Sequence, residues 1–173
     1  MKYKVSEICE INKSNISNKD NYEFINYLDT SNLTEGIIFS LQKLIIGSDK
    51  IPSRAKRKVK KNDILISTVR PNQKHYGILR EVKENMIVST GFAVLTPKEN
   101  KVNPEYLYQY LTQESISEYL QAIAETSTSA YPSIRPIVIG ELELELPTLE
   151  EQQAIAHILS TLDDKIEVNN QIN

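Results

Sequence analysis

Residues 146–166 read LPTLEEQQAIAHILSTLDDKI, and this stretch decides how the rest of the chain is read. Thr148 stands where a helix N-cap belongs. Glu151, three residues on, completes a capping box in which each side chain takes up the other's backbone N–H. Glu150 and Glu151 put negative charge in the first turn, where the helix dipole favours it. Pro147 keeps the residue before it extended. Ile155, Leu159, Leu162 and Ile166 recur at steps of four, three and four, which draws one apolar stripe along a helix of about five turns. Such a stripe packs on the chain's own domain or, given its near-heptad spacing, pairs with another helix.

Immediately upstream, Leu142, Leu144 and Leu146 alternate with Glu141, Glu143 and Glu145. That period of two predicts an edge-type strand with one wet, acidic face. Residues 141–173 carry one Lys against 8 Asp+Glu, a balance of −7, whereas residues 1–140 carry 19 Lys+Arg against 15 Asp+Glu, a balance of +4. The net charge of −3 therefore hides a mildly basic body with a strongly acidic tail, and a phosphate backbone feels the local face. With 173 residues, 40% hydrophobic and 25% charged, the chain suits one globular domain plus an appended helix. No apolar run approaches membrane-spanning length, and the start MKYKVSE lacks the apolar segment of a secretory leader. Cys9, the single cysteine, fits a reducing cytoplasm and the role of a small buried hydrophobe.

Within the body, residues 50–61 are unusual. Lys50, Arg54, Lys56, Arg57, Lys58, Lys60 and Lys61 place seven cations in twelve residues with no acid among them. The run reads as a solvated basic loop or helix turn, or as a mark of an anionic partner, since like charges repel. Ile64 to Val69 is the clearest strand; apolar on both faces at its start, it is expected to be central. Pro71 ends it. The loop that follows holds Arg70, Asn72, Gln73, Lys74, His75 and Tyr76. Arg pairs with guanine, and Asn or Gln with adenine, through two hydrogen bonds each, so these side chain types are those that read base edges. An ordinary polar loop has the same composition. Further strands are expected at 22–28, 36–39, 43–46, 77–80, 86–89 and 91–95. Pro104 opens a helix burying Tyr106, Leu107, Tyr110 and Leu111. A second helix, 115–124, is expected to bury Ile116, Tyr119, Leu120 and Ile123. Residues 125–136 form a hydroxyl-rich loop with two prolines.

The segment from Leu144 to Ile166 resembles, without a gap, the boundary between a target recognition domain and the helical region in specificity subunits of type I restriction-modification systems. Three body segments are similar to the same family: Asp63–Ser67 to its turn and strand, Asn103–Leu111 to its first helix, and Ser127–Arg135 to a loop that is often Gly-rich there and carries Ser and Thr here. The resemblance implies an α+β fold: a mixed, mostly antiparallel, β-rich target recognition domain (1–146) with two packed helices, followed by a long amphipathic spacer helix (147–173) that pairs with a second such helix as in a coiled coil. It further implies double-stranded DNA as ligand and methyltransferase and translocating endonuclease subunits as partners. The family pattern has two recognition domains and two spacer helices. A chain with one of each is a half-length subunit that pairs with itself, through Ile155, Leu159, Leu162 and Ile166, or a piece of a longer one.

Under that reading Arg54, Lys56, Arg57, Lys58 and Lys60 hold phosphates, while the 70–76 loop and Ser127, Ser129, Tyr131, Ser133 and Arg135 read bases. No catalytic, metal or cofactor motif is expected. His75 and His157 are far apart in sequence, no zinc spacing occurs, and no Gly-rich phosphate loop appears. Asn103-Pro104-Glu105-Tyr106 lacks the second proline of an amino-methyltransferase motif and reads as a helix start. Two other readings stand beside DNA recognition: a restriction enzyme fragment with its own nuclease or methyltransferase centre, and a module whose basic run binds an acidic protein.

Overall fold

The computed structural model describes residues 1–172. Its elements are β1 (Lys2–Lys4), α1 (Val5–Ile8), β2 (Cys9–Ile11), β3 (Phe24–Leu28), β4 (Leu33–Thr34), β5 (Ile37–Ile38), β6 (Gln42–Ile45), β7 (Ala55–Lys58), β8 (Ile64–Ser67), β9 (Tyr76–Ile78), β10 (Met86–Ser89), β11 (Phe92–Pro97), α2 (Pro104–Leu111), α3 (Glu114–Ala124), α4 (Pro136–Gly140), β12 (Glu143–Glu145) and α5 (Leu149–Ile172). The fold is α+β. One sheet runs β2-β11-β8-β9 and is antiparallel throughout. A second runs β6-β3-β10-β7, in which β3 and β10 alone are parallel. Two-stranded pairs β1-β12 and β4-β5 complete the β structure.

Alternation explains how the layers stack. Ile64 and Ile66 of β8 and Ala93 and Leu95 of β11 join a core with Leu107, Leu111, Leu120 and Ala124 of the helices. Their neighbours Leu65, Phe92 and Val94 point the other way, into a core with Leu28 and Val88 of the second sheet. Successive side chains on a strand face opposite sides, so the first sheet is the middle layer between helices and second sheet. That is why β8 is buried at all four positions, as its two-sided apolar start predicts. Each fully buried aliphatic side chain contributes about 1.5–3 kcal/mol. A third cluster, Ile25, Tyr27, Ala55 and Ile87, lies between the outer face of the second sheet and flanking loops. Cys9 is 3% exposed, and burial pushes its thiol up to about 12.

Several expectations shift. The basic run is neither loop nor helix turn at its centre: residues 55–58 form β7, because Ala55 fills the third cluster and the strand pairs with β10. In α2 it is Tyr108 that is buried, its ring edge-on to Tyr76 with centroids 6.2 Å apart, while Tyr106 and Tyr110 are half-buried. In α3 Leu120 is buried as expected, but Tyr119 is exposed and Ile116 and Ile123 half-buried, while Ser117 and Ala124 are buried. Pro136–Gly140 form short α4, a helix that the sequence pattern does not predict. Asn103 caps α2 by accepting the Tyr106 N–H at 3.0 Å. The acidic edge of β12 meets cations: Lys2 pairs with Glu143 and Lys4 with Glu141, each at 2.7 Å.

In α5 the capping box is present: Thr148 N–H donates to Glu151 Oε2 at 3.0 Å, and Glu151 N–H to Thr148 Oγ1 at 3.2 Å. The stripe does not cover the domain's own core. Ile155, Leu159, Leu162 and Ile166 are 40%, 36%, 50% and 57% exposed. Gln152 and Ala156 face inward instead, 1% and 3% exposed, and α5 lies against α2. Gln152 accepts the Asn103 N–H at 2.8 Å and donates to Pro147 O at 2.9 Å, so a polar side chain buried at the joint is hydrogen-bonded at both ends.

Candidate nucleic-acid interface

Beyond β8 the chain enters the 70–76 loop, and the fold brings the 127–135 loop to meet it. Val69 and Ser133 form an antiparallel bridge. Ile134 N–H donates to Thr68 O at 2.8 Å, and Arg70 N–H to Pro132 O at 2.8 Å. The Arg70 guanidinium lies over the Tyr131 ring, 5.1 Å from its centroid, a cation–π contact between two exposed side chains. The two segments that the sequence nominates for base reading are thus one edge, joined by backbone.

The geometry of the first loop is strained. A 3-10 turn covers Pro71–Gln73, and both flanking residues are left-handed, Arg70 at φ 48 and Lys74 at φ 58. Neither is glycine, and each such conformation costs about 1–2 kcal/mol. Gln73 N–H to Arg70 O at 2.9 Å and Lys74 N–H to Pro71 O at 3.1 Å close the turn. Its two polar side chains, Asn72 and Gln73, stand exposed.

The hydroxyls of the second loop serve the loop. Ser129 Oγ donates to Tyr131 O at 2.6 Å and lies 3.1 Å from Ser127 Oγ and 2.9 Å from Ser133 Oγ. Ser127 Oγ also accepts the Ser133 N–H at 3.4 Å. The three serines tie residues 127–133 into a knot, from which Tyr131 stands outward. Arg135 is exposed just before α4.

Other nominated residues face elsewhere. Lys74 pairs with Glu114 at 2.7 Å and Glu35 at 3.6 Å, and the bond to Glu114 raises its pKa. His75 Nδ1 lies 2.7 Å from Leu33 O, an acceptor, so that nitrogen carries the proton. Tyr76 is half-buried against Tyr108, and burial raises its pKa.

The basic run is divided. Arg57 Nε donates to Phe92 O at 2.9 Å and Nη2 to Thr90 O at 3.4 Å, and burial lowers its pKa. Lys58 pairs with Asp20 at 2.8 Å. Arg54 and Lys56 are exposed. The Arg54 carbonyl accepts the Thr90 N–H at 2.9 Å, and Gly91 O accepts the Thr68 N–H at 2.9 Å, so the start of β7 lies toward the Arg70–Tyr131 edge. Lys60 is exposed at the other end of β8, where its N–H meets Asp63 Oδ2 at 2.9 Å. Desolvation raises the pKa of the buried Asp63, which also accepts from Thr96 Oγ1 at 2.8 Å.

The family described as type I restriction modification DNA specificity domain matches residues 1–173. The chain belongs to that family. It is 41% identical over 123 residues, 71% of this chain, to the type I restriction enzyme HindI specificity subunit of Haemophilus influenzae. It is 36% identical over 107 residues to the MjaIX specificity subunit of Methanocaldococcus jannaschii. It spans only part of these relatives, 27% and 23% of their length. Among solved structures, the HsdS subunit of Thermoanaerobacter tengcongensis has the same fold, with a TM-score of 0.82 over 99% of this chain and 44% of that one at 22% identity. Among the described residues of this specificity-family chain no helix is long and apolar enough to cross a membrane.

The sequence carried no signal for two features of this edge. The Thr90-Gly91 turn links the start of β7 to Thr68, and Gln121 of α3 accepts the Asn72 N–H at 3.1 Å. Neither belongs to a charged run or a polar loop.

Proposed function

We propose that this chain reads the sequence of double-stranded DNA for a type I restriction-modification enzyme and performs no chemistry itself. The observation that carries this is the joined edge: Arg70, Asn72, Gln73 and Tyr131 exposed together on a braced backbone. An Arg and two amides there match the donors and acceptors that distinguish base pairs in the major groove. Exposed Arg54, just before β7, and exposed Lys56 on that strand supply phosphate contacts that set register. Partners are a methyltransferase subunit, which modifies the sequence found here, and an endonuclease subunit.

The outward stripe of α5 pairs with a second such helix, and its acidity keeps that helix off phosphates. Where the partner is an identical chain the pair is two-fold symmetric, and the target is two inverted half-sites around a spacer. Leu162→Glu with Ile166→Glu tests this arm. The variant is expected to melt as the wild type does, to bind DNA weakly, and to lose assembly with its twin or methyltransferase. Loss of the cooperative melt would mean the stripe is core. For DNA recognition the test is selection of bound sequences from a random duplex pool, with a salt titration. A single enriched motif and a steep salt slope are expected. Binding without any motif would refute base readout.

A further inference from the structure

We propose that Gln121 and Glu114 of α3 are positioning residues for base readout, clamping the Pro71–Gln73 turn in the conformation that turns Asn72 and Gln73 outward. The proposal rests on the reading of the exposed edge as the DNA-reading surface. The turn is bounded by two left-handed non-glycine residues, a backbone state that persists only where surroundings hold it. Its own hydrogen bonds involve the N–H groups of Gln73 and Lys74. Pro71 has no N–H, so the turn's remaining donor is that of Asn72, and Gln121 Oε1 takes it at 3.1 Å. The Gln121 amide is itself oriented, because its Nε2 donates to Glu125 Oε1 at 3.2 Å one turn along α3. At the far end of the turn Lys74 Nζ is held by Glu114 at 2.7 Å.

Gln121 and Glu114 are seven residues apart, two turns of one helix face, and they grip the middle and the end of the same loop. That face also presents Glu118, and Glu125 lies next to Gln121, around a groove shared with Asn72. Three carboxylates along α3 would repel phosphates, so this helix acts on DNA through the loop and not by touching it. A helix whose adjoining side, Leu120 and Ala124, is fixed in the core makes a rigid anvil for a strained turn.

The test compares Gln121→Met, which keeps length and removes the acceptor, with Gln121→Glu combined with Glu125→Gln, which reverses the amide–carboxylate pair and keeps an acceptor for Asn72. Three quantities are read on the whole chain: hydrogen exchange at the Asn72 amide, the thermal melt, and the motif selected from a random duplex pool. Gln121→Met is expected to speed Asn72 exchange on the order of tenfold with the melt unmoved. It should also blur the motif at one or more positions while affinity for random duplex and the salt slope stay unchanged. The reversed pair should restore both exchange and motif. Glu114→Gln should blur the motif less. Unchanged Asn72 exchange in Gln121→Met overturns the clamp, whatever DNA does. Faster exchange with a motif as sharp as the wild type's overturns the role in readout. A wild-type chain that enriches no motif overturns the DNA reading, and the readout role with it.

Discussion

Arg57 and Arg70 belong to the two segments most easily taken for DNA contacts, and the fold uses them in opposite ways. Arg57 sits half-buried with its guanidinium on the carbonyls of Phe92 and Thr90. Arg70 stands in solvent against the face of Tyr131, on a backbone held at φ 48. Density of charge along a chain is therefore a poor guide to charge available at a surface. Within a strand every second side chain turns inward, and a long cation that turns inward finds carbonyls or a carboxylate. In the braced turn at the sheet edge the side chains of Arg70, Asn72 and Gln73 stand outward.

The largest effect that could break this contrast is on stability. Arg57→Ala should destabilise the domain by about 1.5–3 kcal/mol, because hydrogen bonds from a charged donor to half-buried carbonyls are lost. Denaturant unfolding measures it, and a melt identical to the wild type's would return Arg57 to the surface class. Next comes Arg70→Ala, which should leave unfolding unchanged and cost discrimination about 1–3 kcal/mol at one base position. Competition between the selected motif and its single-base variants reads this; equal loss on all duplexes would make Arg70 a phosphate contact. Smaller again is Lys56→Ala on the exposed side of β7. It should flatten the slope of log affinity against log salt by about 0.9 without altering the motif.

The smallest effect concerns Lys58 and Asp20. The bond from Lys58 and the Ser17 N–H hold the Asp20 carboxyl below its ordinary value of 3.8. A carboxylate whose folded pKa is depressed adds stability above its unfolded pKa and loses it as pH falls through the folded one. Asp20→Asn should therefore be slightly less stable than the wild type at neutral pH, with the difference closing once pH drops below that range. A difference that persists unchanged to strongly acid pH would show the pair to be irrelevant.

Legibility varied in the same way. The capping box at Thr148 and Glu151, the helix start at Asn103-Pro104 and the alternation of Leu142, Leu144 and Leu146 were readable because each depends on residues within four positions of one another. The burial of Tyr108 in α2, with Tyr106 and Tyr110 only half-buried, was not, since two faces of a short helix differ by one residue step, and the sheet beneath chooses between them. The strand at 55–58 was hidden because Lys and Arg are weak strand formers. Only its pairing with β10, which is distant in sequence, makes it one.

By itself the sequence determined the class of the protein and where α2 and α5 begin: the motif from Leu144 to Ile166, the acidic tail and the near-heptad spacing of Ile155, Leu159, Leu162 and Ile166 are local patterns, and local patterns survive in a string. Tertiary structure alone decided that Thr68–Arg70 and Pro132–Ile134 share backbone hydrogen bonds. It also decided that the inward face of α5 is Gln152 and Ala156. The physical reason is that hydrogen bonds and burial are settled by which partner arrives, and the partners here are separated by tens of residues of chain.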